Sequence, residues 1–202
     1  HRRQLLDRCD QLAVIVEVPD DRLPDHPPRP ADGLARPLPQ RGAGPRAWGA
    51  GTGAGPAHAS ADLIVAAAEK HGHLVHIHTR TGGSSDISAA IPFVEKDGKR
   101  VKIHLVHMGG GVSGHIKCVP GFLQKVQEGY QIYTDCTWSV GFGPRFMLSE
   151  IERLGVGGDR VLFASDVPWS DFMCEYWKIE GAYCSDELKE NIFWNNAENL
   201  YG

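Results

Sequence analysis

Residues 160–169 read Arg160-Val161-Leu162-Phe163-Ala164-Ser165-Asp166-Val167-Pro168-Trp169, and two earlier runs share their build. These are Leu74-Val75-His76-Ile77-His78-Thr79 and Val101-Lys102-Ile103-His104-Leu105-Val106-His107-Met108-Gly109. Each has the length and β-branched content of a buried parallel strand, and each carries a metal-ligand side chain toward its carboxyl end. Open α/β sheets and α/β barrels build their sites at that end. The pattern points to a metal site assembled from several strands.

Outward from these runs, helix and strand alternate regularly after Ser60. Ser60 reads as the cap of a helix over 61–71 that Gly72 stops, followed by a strand over 73–79. A Gly/Ser loop at 82–85 leads to a helix near 86–95, a turn at Asp97-Gly98 and a strand over 101–107. Glycines 109–111 open a helix through Phe122 and Val126, and the next strand covers 131–136. A helix over 143–154, a strand over 160–165, a short helix near 171–179 and a closing helix from Ser185 complete the pattern. Four βα units with crossover-length connections predict a parallel sheet flanked by helices. That is half of an eightfold barrel, and the 202 residues fall short of the ~250 that a complete barrel takes. The expected fold is α/β, a partial or distorted (β/α)8 barrel of the TIM type.

Composition divides the chain into 1–19, 20–60 and 61–202. The first part holds one credible strand, Leu12-Ala13-Val14-Ile15-Val16-Glu17-Val18, ended by Pro19. The second is rich in Pro, Gly, Arg and Ala, and eight of the thirteen prolines fall between Leu23 and Pro56. Such a stretch cannot sustain regular structure and is expected to be irregular, with little buried apolar surface. The chain begins at His1 rather than Met, which reads as a fragment or a processed product. A net charge of −4 offers no basic patch for nucleic acid and no polybasic membrane signal. The five cysteines are odd in number and contain no Cys-x-x-Cys pair, which argues against a disulfide framework and for the reduced cytoplasm. No apolar run approaches the ~18 residues of a membrane span.

Side chains alternate along a strand, so His76 and His78 share a face, while His104 and His107, three apart, take opposite faces. On that argument only one of the second pair reaches the barrel interior. His107 and His78 are chosen because they lie nearest the carboxyl ends; His104 reads as a packed or solvent-facing strand residue. His76 remains open, because His-x-His on one face can chelate. Asp166 closes the third run, with Pro168 preventing its extension. Two imidazoles and a carboxylate suit zinc or another divalent first-row metal with a position open for water. Arg80, just past His78, is a candidate for binding a substrate carboxylate, and Trp138 and Trp169 are candidate walls for a planar substrate. Asp135 reads as a turn residue at a strand end, and Asp171 and Glu175, four apart, as a solvated helix face.

Five segments together resemble the amidohydrolase superfamily, specifically the amidohydrolase-2 group that includes aminocarboxymuconate-semialdehyde decarboxylase-like enzymes. The run 74–79 resembles the family's fifth strand, and Leu105-Val106-His107-Met108-Gly109-Gly110-Gly111 its sixth. Tyr133-Thr134-Asp135-Cys136-Thr137-Trp138 is similar to its seventh, the run 160–169 to its eighth, and Asn195-Asn196-Ala197-Glu198-Asn199-Leu200-Tyr201 to its closing helix. The resemblance covers 61–202 and implies a metal-dependent barrel. In it His78 is a metal ligand, His107 a ligand or substrate-polarising group, and Asp166 a ligand that also moves the proton of a metal-bound water. The family's first-strand His-x-His has no counterpart upstream of residue 60.

The expected function is that of a metal-dependent hydrolase or decarboxylase acting on a small carbonyl or carboxylate substrate, with zinc as the ion. The catalytic residues would be Asp166 and His107. A non-catalytic, truncated remnant is the rival that the missing first-strand ligands favour, and a metal-free barrel lyase is a second. The exposed edges of a half barrel predict a homo-oligomer, with neither nucleic acid nor membrane as partner.

Overall fold

The computed structural model describes residues 14–16, 59–82, 85–139 and 141–202. The irregular character expected for 20–60 therefore lies outside the described residues, apart from the start of the first helix, as does the rest of the 12–18 strand beyond Val14–Val16. The described elements are strand β1 (Val14–Val16), helix α1 (Ala59–His71), β2 (Leu74–His78), α2 (Ile87–Asp97), β3 (Lys102–Val106), a 3-10 turn (His107–Gly109), α3 (Gly111–Gln127), β4 (Ile132–Asp135), α4 (Gly143–Leu154) and β5 (Val161–Leu162). They close with α5 (Phe172–Glu180), α6 (Asp186–Glu190), a π-helical turn (Asn191–Asn195) and α7 (Asn196–Tyr201).

The five strands form one parallel sheet in sequence order, β1-β2-β3-β4-β5, as expected where each strand returns through a crossover helix. Among the described residues the sheet does not close, consistent with a partial barrel. Register aligns Ile77 with Leu105, Leu105 with Thr134 and Thr134 with Val161. These residues, with Val75, Ile103 and Ile132, point to the helical layer. There they meet Ala68 of α1, Val94 of α2, Phe122 and Leu123 of α3, and Met147 and Leu148 of α4 in one continuous core. The opposite face, which would line a closed barrel, is part apolar and part polar. Leu74, Tyr133 and Leu162 pack there on Ala197 and Leu200 of α7. The same face carries His76, His78, His104 and Asp135, with His76 and Tyr133 both paired in register to His104 and Leu162 paired to Asp135.

Three boundaries depart from the sequence reading for physical reasons. Strand β5 stops at Leu162 because the Phe163 N–H donates to Ile192 O at 2.9 Å, and the Phe163 ring joins Phe172 and Phe193. The backbone thus leaves the sheet for the closing helices, and Asp166 lies four residues beyond the strand rather than at its end. The closing helix is split by its π turn into α6 and α7. Helix α1 begins at Ala59, so Ser60 lies inside its first turn rather than capping it. Elsewhere the caps are regular: Ser185 receives Leu188 N–H at 3.2 Å, and Gly155, at φ 62°, ends α4 in the left-handed conformation.

Gly114 shows how tightly α3 seats on the turn after β3. A Cβ there would lie 2.5 Å from Gly109 O and 2.6 Å from Gly109 C, backbone atoms that no rotamer change can move. Gly→Ala in a helix interior ordinarily stabilises by about 1 kcal/mol. At this position the clash outweighs that gain, so Gly114→Ala lowers the urea midpoint. A raised midpoint would show that the α3 contact is looser than described.

Candidate active site

The strand ends are built on strained backbone. Among the described residues, the non-glycine residues with positive φ are His107 (71°), Met108 (46°), Trp138 (55°) and Asp166 (50°), all of them after β3, β4 or β5. Each such residue costs on the order of 1–3 kcal/mol and persists only where its surroundings over-determine it; such strain clusters at functional sites. Here the surroundings are hydrogen bonds from neighbouring strand ends. Thr79 Oγ1 donates to Val106 O at 2.5 Å and accepts Gly109 N–H at 2.8 Å, while Thr81 Oγ1 donates to Gly109 O at 2.7 Å. Asp135 accepts the His107 N–H at 3.3 Å and the Thr137 N–H at 2.8 Å.

This turn overrides strand alternation. Because β3 ends at Val106 and the chain turns left-handed at His107, both His104 and His107 reach the same buried carboxylate. His104 Nε2 lies 3.0 Å from Asp135 Oδ2, close but off the line of a good N–H···O bond. His107 Nδ1 lies 3.7 Å from Asp135 Oδ1 and 2.6 Å from Thr137 Oγ1, whose own hydrogen bonds to Asp135 Oδ1. His76 Nδ1 extends the chain to His104 Nδ1 at 3.0 Å. The His78 ring stands edge-on to the His107 ring, centroids 5.0 Å apart, and Trp138 flanks His107 at 5.8 Å. His78 and His107 are thus neighbours, as the parallel register predicts. Asp135, read from sequence as a turn residue, and His104, read as a packed or solvent-facing strand residue, belong to the same network.

Charge follows from these contacts. Burial alone would raise the Asp135 carboxyl, but the close approach and charges of the His104 and His107 rings outweigh it and hold the group well below the usual carboxylate range. Burial likewise pushes His107 down, and the nearby Asp135 carboxylate, with the charges of Asp166 and Glu175, overcomes it and raises the ring above its ordinary value. His76, with burial and the His104 charge both opposing protonation, is pushed down to about 4 and stays neutral at neutral pH.

Beside this network opens a cleft of about 1050 Å³, lined by residues that include Arg80, Gly110, Trp138, Ser139, Glu175 and Lys178. Gly110, at φ 62°, lets the loop pass between Arg80 and the Trp138 ring, each of which would lie under 4 Å from an added Cβ. Glu175 is a buried anchor rather than part of a solvated face. Its Oε1 accepts Ser170 Oγ at 2.5 Å and the Trp138 N–H at 3.3 Å, and its Oε2 pairs with Lys178 Nζ at 2.5 Å. Asp171 caps α5 through the Met173 and Cys174 N–H groups. Arg80 makes no ion pair among the described residues and faces the cleft with its charge available. Trp169, 82% exposed, does not line the cleft, and neither do His78, His107 or Asp166.

The donor types suit a divalent cation, but their arrangement does not form a shell. Among the described residues no three His, Cys, Asp or Glu side chains converge on a common point. His104 Nε2 and His107 Nδ1 are turned to Asp135 and Thr137, and His76 Nδ1 to His104. His78, His107 and Asp166 therefore do not, as described, constitute a metal centre.

The sequence pattern of the amidohydrolase family matches residues 23–202, and the chain belongs to that family, in its amidohydrolase-2 group. None of the curated protein sequences compared with it is significantly similar. Among solved structures it is similar to an uncharacterised TIM-barrel protein from Bordetella bronchiseptica, with TM-score 0.53 and 15% identity, covering 69% of this chain and 49% of that one. It is also similar to 2,6-dihydroxybenzoate decarboxylase from Rhizobium, with TM-score 0.50, 15% identity, and coverage of 69% and 54%. For 5-carboxyvanillate decarboxylase LigW from Sphingomonas paucimobilis the values are 0.50, 17%, 68% and 52%. At these identities the likeness establishes the fold, and the chain spans about half the length of the structures it matches. No described helix is long and apolar enough to cross a membrane.

The Asp135 network carries a pH signature. The His107 ring, raised in the folded state, contributes stability that is full below about pH 6.5 and lost as pH climbs through its higher folded value. The Asp135 carboxylate, lowered in the folded state, contributes stability present above about pH 3.8 and lost as pH falls. The stability gap between the wild type and Asp135→Asn is therefore widest between these limits and narrows on either side, as urea midpoints across pH will show. A gap constant with pH would mean that the pair is not charged in the folded protein.

Proposed function

We propose that the carboxyl end of this sheet is the catalytic half-site of a metal-dependent hydrolase or decarboxylase acting on a small carbonyl or carboxylate substrate. The observation that carries the reading is the placement of His107, held on a buried carboxylate and on strained backbone, beside a cleft whose available cation is Arg80. In this reading the Arg80 guanidinium receives a substrate carboxylate and the Trp138 ring lies against a planar substrate. The raised His107 favours a protonated ring, able to donate to negative charge as it develops. Asp166, close enough to act electrostatically on His107, moves the proton. The metal, zinc by donor type, is assigned to the His78, His107 and Asp166 end of the sheet. Those groups form no shell among the described residues, and the proton and charge steps fall to the chain's own side chains. Membership of the amidohydrolase family supports an enzyme over a non-catalytic remnant. The same reading keeps a homo-oligomer as the working state and the cytoplasm as its place; the unclosed sheet, in which β5 pairs only with β4 among the described residues, supports self-association.

The two decarboxylases of similar fold supply the first substrates to try, 2,6-dihydroxybenzoate and 5-carboxyvanillate, followed by carbonyl substrates for hydrolysis, each with and without added zinc. Turnover is expected with zinc and lost on chelation. Asp166→Asn, which keeps an oxygen but cannot carry the proton, should reduce kcat by at least ~100-fold. Unchanged turnover in Asp166→Asn would remove Asp166 from the mechanism, and full activity after chelation would favour a metal-free lyase. Arg80→Gln should raise KM by about tenfold with little change in kcat, the loss of one charge-assisted hydrogen bond to a carboxylate. An unaltered KM would place the substrate elsewhere.

A further inference from the structure

Whatever His107 does, it must do with a defined ring nitrogen, and three buried groups decide which one. Asp135, His107 and Thr137 are each no more than 3% exposed, so water does not compete for their hydrogen bonds. Asp135 Oδ1 accepts the Thr137 N–H at 2.8 Å and also the Thr137 hydroxyl. With its single hydrogen committed to the carboxylate, the Thr137 oxygen can only accept, and His107 Nδ1 sits 2.6 Å from it. Nδ1 must therefore carry a proton. The other carboxylate oxygen, Oδ2, accepts the His107 main-chain N–H at 3.3 Å and so holds the left-handed turn that swings the ring into place.

We infer that Thr137 and Asp135 are the positioning residues of this site, fixing His107 as the Nδ1–H tautomer and reserving its Nε2 nitrogen for the reacting group. A neutral imidazole in water favours the other tautomer, with the hydrogen on Nε2, so the relay reverses the ordinary preference. Both roles open to His107 require this. As a ligand it needs a bare Nε2, and as a donor to developing negative charge it needs Nε2 to be the nitrogen that gains and gives the exchangeable proton. Asp135 acts on Nδ1 through the Thr137 hydroxyl, a hydroxyl-bridged version of the carboxylate that orients a histidine directly. Sequence alone does not show the relay, since Asp135 and Thr137 are ordinary strand-end residues until the turn at His107 folds back on them.

The functional meaning rests on the reading of His107 as a reacting group, but the tautomer does not, and it can be tested separately. Two-bond ¹H–¹⁵N spectra of the ¹⁵N-labelled full chain, taken above the His107 titration, distinguish protonated from bare ring nitrogens. Wild type and Thr137→Ser should show Nδ1–H with bare Nε2, and Thr137→Val, which keeps the shape but removes the hydroxyl, should shift His107 toward Nε2–H. A wild-type ring protonated on Nε2 overturns the inference without need of any variant, and an unshifted ring in Thr137→Val overturns the role of Thr137. With an active substrate, Thr137→Val should lower kcat about 10-fold or more at nearly constant KM, and Thr137→Ser should restore it. An unchanged kcat in Thr137→Val would overturn the catalytic meaning of the relay. The expected tautomers with no turnover in any form would uphold the relay and count against the proposed reaction alone.

Discussion

One buried carboxylate ties together the carboxyl ends of this sheet. Asp135 has no exposed surface, yet it stays ionised because histidines from β3 and the turn after it, and the Thr137 N–H and hydroxyl beyond β4, all address its two oxygens. An ionised carboxylate in such a place is tolerated only when paired and hydrogen-bonded, and removing one partner from a buried pair typically costs about 3–5 kcal/mol. The position of His107, the left-handed turn it occupies and the orientation of its ring therefore depend on one another through a single side chain. The His78 edge contact and the Trp138 flank are set by the same turn.

The strain at the strand ends has the same origin. Four non-glycine residues in the left-handed region could together forfeit several kcal/mol, on the order of 1–3 each. They are supported from below by a core in which Phe122, Ile103, Leu105, Met147 and Leu148 are fully enclosed, and from the sides by Thr79, Thr81, Asp135 and Glu175. Glu175 does for Trp138 what Asp135 does for His107: a buried carboxylate accepts the main-chain N–H of a residue in the left-handed region and so fixes where its side chain goes. Both devices lie at the carboxyl ends of the strands, where α/β barrels carry their chemistry. On the same face α7 covers Leu74, Tyr133 and Leu162.

Much of this was legible in the residues. Apolar runs of strand length, alternating with helices at crossover spacing, determined the parallel order and the number of βα units. The motif histidines, the Gly109-Gly110-Gly111 loop and Asp166 determined the family, and Arg80 and Trp138 were recognisable as cleft residues. These features depend on local periodicity and on short segments whose order along the chain is their order in the sheet. What tertiary structure decided was which side chains meet. Alternation assigns His104 and His107 to opposite faces, but it applies only while the strand continues, and β3 ends one residue too soon. A pair of acidic residues at helical spacing, Asp171 and Glu175, looks solvated until α5 docks and buries one of them. The length of β5 was set by a hydrogen bond from Phe163 to Ile192, a partner 29 residues away that no local pattern announces. Sequence by itself determined the sheet, its order and the end at which the candidate site sits, because those follow from periodicity; the network on Asp135 was decided only by the fold, because it joins atoms that the chain brings together from three separate strands.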